Sequence, residues 1–250
     1  MFPGIRFQSA NKLREFDKLK TGCKEIDSIL KGGFKTNILN EIVGCSGSGK
    51  TQICLILSLM VQLPRELGGF GKASVYICTE DVFPVKRLHE LSLSFLRKYG
   101  LENSLDNVFI CHIPDYDRLK TVLNVFVPSL VRAKKVGLLV IDSIAGVFRS
   151  DNQGISYVNR SKQFNEIALK LREFATKLNC VVICVNQVTE DISTGKTEPC
   201  LGLSWSNLVN SRFFINRQYP SKSRTFQIAF ASDIPNSLCN FLIDEEGLVS

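Results

Sequence analysis

The chain has 250 residues, of which 44% are hydrophobic and 22% charged; these values are typical of a globular domain and exclude a disordered or collagen-like chain. Lysine and arginine total 31 against 24 acidic residues, and the resulting formal charge of +7 favours either a polyanionic partner or a basic solvated surface. No apolar run approaches about 18 residues and the N-terminus has no apolar signal core, so we expect an intracellular protein without a membrane span.

The cysteines do not form the pattern of a disulfide-rich scaffold. Their number, nine, is odd, and five lie inside apolar runs: Cys54, Cys78, Cys111, Cys180 and Cys184. The chain contains no Cys-x-x-Cys pair and only two histidines, which argues against a zinc site. We therefore predict buried free thiols in a reducing compartment.

From Thr21 onwards, apolar runs alternate with helical patterns. The order predicted from them is a strand at 38–43, a helix at 53–63, a strand at 73–78, a helix at 84–98, a strand at 107–112, a helix at 119–131, a strand at 136–141, a helix at 157–178 and a strand at 180–185. The continuous apolar run at 136–141 is typical of a parallel strand covered on both faces. After Trp205 the pattern changes to short β segments at 213–215, 225–230 and 241–243.

This alternation predicts one α/β domain with a mostly parallel sheet, flanked by helices and closed by antiparallel strands at the C-terminal end. Residues 1–20 are polar and basic, and their apolar positions are too irregular to predict an element. We therefore assign 1–20 to a linker and 21–250 to the folded domain.

The segment Gly44-Cys45-Ser46-Gly47-Ser48-Gly49-Lys50-Thr51 matches the phosphate-binding pattern G-x-x-x-x-G-K-[ST], between a predicted strand and a predicted helix. Its glycines let backbone N–H groups turn towards phosphate oxygens, and the helix N-terminus adds its dipole. In this pattern Lys50 reaches the β- and γ-phosphates and the Thr51 hydroxyl binds Mg²⁺. The sequence thus predicts an ATP and Mg site, the alternative being a glycine-rich turn with a structural purpose only.

Polar side chains follow three of the predicted strands. Asp142 is predicted to hold Mg²⁺ through water, and it could also cap the following segment. Glu80 could orient and deprotonate a water that attacks the γ-phosphate, or be a solvated loop acid. Gln187 could hydrogen-bond the γ-phosphate, or be an ordinary polar strand terminus.

Several segments resemble the eukaryotic RecA-type recombinases. They are GGFGKASVYICTE at 68–80, TGCKEID at 21–27, GKTQ at 49–52, DS at 142–143, NQV at 186–188 and GLSW at 202–205. Within that family, the residues at 79–84, 186–190 and 201–207 resemble the recombinase paralogues of the X-ray repair cross-complementing group. The resemblance extends from about Thr21 to the C-terminus and implies a RecA-like P-loop ATPase core.

The resemblance also implies roles for individual residues. Lys50 and Thr51 take the nucleotide and Mg²⁺ roles already derived, together with Asp142. Glu80 takes the water-activating position, and Gln187 the position that senses the γ-phosphate, so that the implied catalytic residues are Glu80, Lys50 and Gln187.

Other implied contacts involve the base and a neighbouring protomer. Arg87 matches the arginine that stacks on adenine, the alternative being a solvated helix arginine. Pro235 resembles the proline that faces a neighbour's nucleotide, the alternative being a turn proline. The stretch Phe7-Gln8-Ser9-Ala10 resembles the Phe-x-x-Ala segment that docks one protomer on the next, the alternative being an amphipathic linker.

Two loops should face single-stranded or branched DNA if the family pattern holds. The first runs from about 145 to 157 and contains Arg149, and the second runs from about 188 to 201 and contains Lys196. The second loop is shorter than in strand-exchange enzymes and has no aromatic residue, which argues against strand exchange by this chain.

The implied function is a slow DNA-dependent ATPase of the nucleus, acting in double-strand break repair by homologous recombination. Its implied partners are DNA, a related paralogue subunit and a recombinase. A nucleotide-binding scaffold with little turnover is the alternative. A P-loop kinase is disfavoured because the strand before the phosphate-binding loop lies far from the Asp142 strand, and no arginine-rich lid segment is visible.

Overall fold

A computed structural model describes residues 16–149, 156–190 and 197–250 of the protein. Its main sheet contains β3 (Leu39–Val43), β4 (Ala73–Cys78), β5 (Val108–His112), β6 (Val136–Asp142), β7 (Val181–Asn186), β10 (Ser211–Arg217), β11 (Arg224–Phe230), β12 (Leu238–Ile243) and β13 (Leu248–Val249). Two short pairs are β1 (Lys18–Leu19) with β2 (Phe34–Lys35), and β8 (Val188–Glu190) with β9 (Thr197–Pro199). The helices are α1 (Lys24–Ile29), α2 (Lys50–Met60), α3 (Val85–Tyr99), α4 (Tyr116–Thr121), α5 (Val127–Ala133), α6 (Ile144–Arg149), α7 (Tyr157–Leu178) and α8 (Gly202–Ser206).

The strand order of the main sheet is β13-β12-β11-β10-β3-β7-β6-β4-β5. Six neighbouring strands, from β10 to β5 in that order, run parallel, and β11, β12 and β13 continue the sheet antiparallel. This arrangement confirms the predicted α/β class, with a RecA-like, mostly parallel sheet and antiparallel C-terminal strands. The antiparallel part begins one strand later than the sequence pattern indicated, because β10 joins β3 in parallel.

The core lies on both faces of this sheet. Because side chains alternate along a strand, Leu138 and Val140 of β6 join one apolar cluster, which includes residues of α2 and α3. Leu139 and Ile141 join a second cluster, built with residues of α4, α6 and α7. The sheet is therefore buried on both sides, as the continuous apolar run predicted.

The helical region around 119–131 is longer than predicted and has three parts. A π-helical turn, Val122–Phe126, separates α4 from α5. Pro128 lies at the start of α5 and has no backbone N–H to donate to the preceding turn. The wider turn before it accommodates this missing donor.

Several short elements were not predicted because they are too short to show a period. Helix α6 covers 144–149, so residues 145–149 of the first predicted DNA loop are helical. Leu19, within the stretch predicted as a linker, lies in β1, pairs with Phe34 of β2 and is fully buried. The predicted docking segment at 7–10 lies outside the described residues.

All nine cysteines are free thiols. Of the five predicted to be buried, four are buried, and Cys111 is only half-buried. Burial raises the pKa of Cys180 to about 12. In the part of the chain that the structure describes, no helix is both long and apolar enough to cross a lipid bilayer.

Candidate nucleotide site

The glycine-rich loop joins β3 to α2, and two of its glycines are required for different reasons. Gly49 has φ +113°, which glycine adopts without strain, and a Cβ there would lie 2.6 Å from Cδ1 of Ile243. Gly44 is required because there is no room for a side chain: a Cβ at this position would lie 2.3 Å from the carbonyl oxygen of Ile215. The outer residues of the loop are exposed: Cys45, Ser46 and Gly47. The loop is thus open to solvent where a phosphate would approach.

Lys50 lies beneath this loop and is 8% exposed. Its ammonium donates to the carbonyl oxygens of Gly44 and Cys45, both at 2.7 Å. Burial lowers the pKa of Lys50, and the nearby Asp142 carboxylate opposes that shift. The Ser48 hydroxyl is also buried and has no hydrogen-bond partner among the described residues. The loop therefore presents a buried cation and an unpaired hydroxyl group.

The predicted metal ligands meet directly. The Thr51 hydroxyl donates to Oδ2 of Asp142 at 2.7 Å, and the Tyr76 hydroxyl donates to the same oxygen at 2.5 Å. Burial raises the pKa of Asp142, while these two hydrogen bonds lower it. Burial also raises the pKa of Tyr76 well above its ordinary value, which keeps this residue a neutral donor.

Glu80 is surrounded by donors at the carboxyl edge of the sheet. Its Oε2 accepts from the Ser143 hydroxyl at 2.8 Å and from Nε2 of Gln187 at 2.6 Å. Its Oε1 accepts from Nη1 of Arg149 at 2.6 Å, and Nη2 of Arg149 donates to Oε1 of Gln187. The two residues predicted to act on the γ-phosphate, Glu80 and Gln187, are therefore in direct contact.

The strand order explains how these groups converge. Strand β7, which precedes Gln187, lies between β3 and β6, and β4, which precedes Glu80, lies on the other side of β6. Since the strands are parallel, their carboxyl ends share one edge of the sheet. A cavity of about 300 Å³ at this edge is bordered by Thr51, Glu80 and Asp142, so it brings the metal-type oxygens and the candidate base together.

A buried network fixes the end of β7. The backbone N–H of Gln187 donates to Oδ1 of Asn186 at 2.8 Å. The Asn186 amide and the Trp205 indole N–H each donate to Oε1 of Glu41 at 2.8 Å, and Nε of Arg212 donates to Oε2. Because Glu41 is fully buried, the position of Gln187 depends on the packing beneath it.

Arg87, predicted to stack on adenine, extends from α3 towards α2 and the C-terminal turn. Its Nε donates to Oε1 of Gln52 at 2.9 Å, and Nη1 donates to Glu90 at 3.0 Å and to the carbonyl oxygen of Glu245 at 3.1 Å. Nη2 donates to the carbonyl oxygen of Asp244. Arg87 is thus close to the start of α2, and its contact with a base stays a prediction.

The remaining predicted residues have different surroundings. Pro235 is exposed in the segment between β11 and β12. The Arg149 side chain is 51% exposed but contacts Glu80 and Gln187. Lys196 lies outside the described residues. Roles for these three residues at a partner or at DNA stay predictions.

Three residues at the site were missed by the sequence analysis. A tyrosine in an apolar strand signals a hydroxyl that needs a partner, and this signal could have identified Tyr76. Ser143 directly follows Asp142 at a strand end and had the same positional signal. The third residue is Arg224, whose Nε donates to the carbonyl oxygen of Ser48 at 3.0 Å. No signal in the sequence could have identified it, because 176 residues separate the two.

Comparisons with known proteins are consistent with this geometry. The family model described as Rad51 matches residues 12–250. A protein named DNA repair protein XRCC3 homolog, from Arabidopsis thaliana, is 34% identical over 92% of this chain and 92% of its own length. DNA repair protein XRCC3 of Bos taurus is 34% identical over 94% of this chain and 75% of its own length. DNA repair protein rhp57 of Schizosaccharomyces pombe is 29% identical over 93% and 79%, respectively. The matched part includes every residue of the candidate site.

Proposed function

The chain belongs to the Rad51 family as an XRCC3-like paralogue, and we propose that it binds and slowly hydrolyses ATP in homologous-recombination DNA repair. The observation that carries this proposal is the cavity where the Thr51–Asp142 pair and Glu80 meet, next to the loop that holds Lys50. Its relatives are named as DNA repair proteins, and the partners that we propose are DNA, a related paralogue subunit and a recombinase, with the nucleus as the place of action.

The side chains at the loop fit ATP with Mg²⁺. Lys50 can exchange two carbonyl oxygens for charged phosphate oxygens, which are stronger acceptors. Among the described residues no cluster of three His, Cys, Asp or Glu side chains could hold a metal ion. With ATP bound, the Thr51 hydroxyl would be a direct ligand of Mg²⁺, Asp142 would hold the ion through water, and phosphate and water oxygens would complete its coordination. When bound, Mg²⁺ neutralises part of the phosphate charge.

Glu80 is the candidate general base. It lies at the end of β4 on the cavity that Thr51 and Asp142 also border, so it can accept a proton from a water at the γ-phosphate position. Gln187 contacts Glu80 at 2.6 Å and follows β7 directly. A change at the γ-phosphate can therefore pass through Gln187 to the antiparallel pair of β8 and β9.

Lys50→Ala should weaken Mg·ATP binding by about 10- to 100-fold, because it removes hydrogen bonds from a charged donor. The measurement is a titration of the purified variant with ATP. Lys72→Ala is the matched control, since Lys72 is a half-buried lysine that, like Lys50, donates to two backbone carbonyl oxygens, those of Leu178 and Asn179 at 3.1 and 3.4 Å. If both variants are folded and Lys50→Ala binds ATP with the affinity of the parent, this nucleotide site is excluded.

DNA binding should be dominated by phosphate contacts. On single strands, log affinity should fall linearly with log salt, with a slope of about −0.7 for each phosphate neutralised. Replacing both Arg149 and Lys196 by alanine should make this slope shallower by roughly one to two units. The control changes Arg97 and Arg132, exposed at the C-terminal ends of α3 and α5, near the opposite edge of the sheet. An equal change of slope in both double variants would contradict the placement of the loops.

A second candidate function is a nucleotide-binding scaffold with little turnover. The ion pair between Glu80 and Arg149 favours it, because one oxygen of the candidate base is engaged. Turnover with and without single-stranded DNA separates the two functions. A scaffold would bind ATP at a site sensitive to Lys50→Ala and hydrolyse it at the same very slow rate in both conditions.

A further inference from the structure

We propose that Arg149 restrains Glu80 through their ion pair, and that a nucleic-acid phosphate frees Glu80 by binding the guanidinium in its place. We call this ion pair the latch. This inference rests on the proposed function, since it concerns how DNA would control the same ATP site. It makes Arg149 a positioning residue with two alternative anionic partners. Arg149 then either contacts DNA or restrains the candidate base, and it does not do both at once.

The contacts form a closed ring of three side chains. Nη1 of Arg149 donates to Oε1 of Glu80 at 2.6 Å, Nη2 donates to Oε1 of Gln187, and Nε2 of Gln187 returns to Oε2 of Glu80 at 2.6 Å. The Arg149 guanidinium also donates to the Cys200 sulfur. The planar guanidinium can hold two acceptors at once, which an ammonium group cannot do with the same geometry.

This ring leaves Glu80 poorly placed to act as a base. Oε1 accepts from Arg149, and Oε2 accepts from both Ser143 and Gln187. A general base needs an oxygen within hydrogen-bond reach of the water whose proton it takes. Loss of the Arg149 contact frees Oε1 and leaves Oε2 held in position by Ser143.

The surroundings of Arg149 allow the exchange. Its side chain is 51% exposed, and ion pairs between exposed groups are weak enough for another anion to compete. A phosphate offers the same paired oxygens as a carboxylate. Arg149 is the last residue of α6, and a Cβ at Gly146 would lie 2.4 Å from Cγ of Glu80. The absence of a side chain at Gly146 thus brings α6 close enough for the latch to form.

Competition for one guanidinium has a reciprocal consequence. If a DNA phosphate must displace Glu80, the carboxylate weakens DNA binding as much as DNA weakens the latch. Neutralising Glu80 should therefore tighten DNA binding, although Glu80 itself contacts no DNA. A purely structural role for the ion pair gives no such gain.

The first experiment measures the affinity of the full chain for a single-stranded oligonucleotide at low salt, without nucleotide. Glu80→Gln should bind about threefold to tenfold more tightly than the parent. In the Arg149→Ala background the same Glu80 substitution should give no gain. Asp81→Asn is the matched control, because it removes the same charge from the neighbouring exposed residue and should change affinity little.

The second experiment measures ATP turnover. Arg149→Ala should raise the DNA-free kcat by about threefold to tenfold with an unchanged KM for ATP, and should abolish stimulation by DNA. Arg149→Lys should change kcat in the same direction but less, because lysine keeps the charge but lacks the paired N–H donors of the guanidinium. A fall in the DNA-free kcat of Arg149→Ala would overturn the latch.

The possible failures are distinguishable. Equal DNA affinities of the parent and Glu80→Gln, or an equal gain with Asp81→Asn, would overturn the latch while the proposed DNA-binding function stands. A gain that persists in the Arg149→Ala background would also overturn it. No DNA binding by any of these proteins would overturn the proposed DNA function and the latch with it.

Discussion

Glu80→Gln should lower ATP turnover by about 10²- to 10⁴-fold, the range typical of a general base, while ATP still binds. Glutamine keeps the shape of the side chain and can still accept from Ser143, which donates to Glu80 at 2.8 Å. It cannot take a proton from water. The measurement pairs kcat in the presence of single-stranded DNA with a separate ATP titration, so that loss of chemistry is separated from loss of binding.

The control for this prediction is the adjacent carboxylate. Asp81 borders the same cavity, and Asp81→Asn removes a charge at nearly the same place without removing the candidate base. We expect Asp81→Asn to keep most of the parent rate. If Glu80→Gln turned over at the parent rate, or if Asp81→Asn gave the larger loss, Glu80 would have no part as the base.

Glu41→Ala should lower the free energy of unfolding by about 3–5 kcal/mol, the cost typical of removing one partner from a buried ion pair. Glu41 is fully buried and accepts from Asn186 and Trp205, both at 2.8 Å, and from Arg212. Its loss leaves the guanidinium of Arg212 in the interior without its carboxylate. Denaturant unfolding of the parent and the variant measures the difference.

A half-exposed ion pair provides the control for the Glu41 prediction. Glu173 pairs with Lys177 at 2.7 Å, and the two side chains are 39% and 71% exposed. Glu173→Ala should therefore cost no more than about 1 kcal/mol. If Glu41→Ala does not fold, Glu41→Gln, which keeps an acceptor for Asn186, is measured instead, and its loss of unfolding free energy should lie between those expected for Glu41→Ala and Glu173→Ala. A cost for Glu41→Gln or Glu41→Ala equal to that of Glu173→Ala would contradict the network.

Because Asn186 also accepts from the backbone N–H of Gln187 at 2.8 Å, damage at Glu41 should extend to the nucleotide site. We expect the ATP turnover of a folded Glu41→Gln variant to fall together with its stability. The buried network thus stabilises the fold, and through Gln187 it also positions a candidate catalytic residue.

Features that depend on near neighbours were predictable from the order of the amino acids alone. The strand at 73–78 and the helix at 157–178 have the predicted bounds, because their apolar patterns are long enough to show a period. The phosphate-binding loop is eight consecutive residues, so its type is visible without a fold. The convergence of Glu80, Asp142 and Gln187 was also predictable, since all three follow predicted strands, and parallel strands end at one edge.

Which of these groups touch depends on contacts between residues far apart in the chain. Strand order and register bring Arg149 to Glu80 across 69 residues, and Arg212 to Glu41 across 171. Neither contact can be predicted from the local sequence, because the residues next to an arginine in the chain do not show whether it pairs with a distant carboxylate or faces solvent. The parallel pairing of β10 with β3 was hidden for the same reason. Local patterns specify which elements form, whereas packing specifies which side chains share a site, and in this protein that choice connects the residue predicted for DNA to the candidate base.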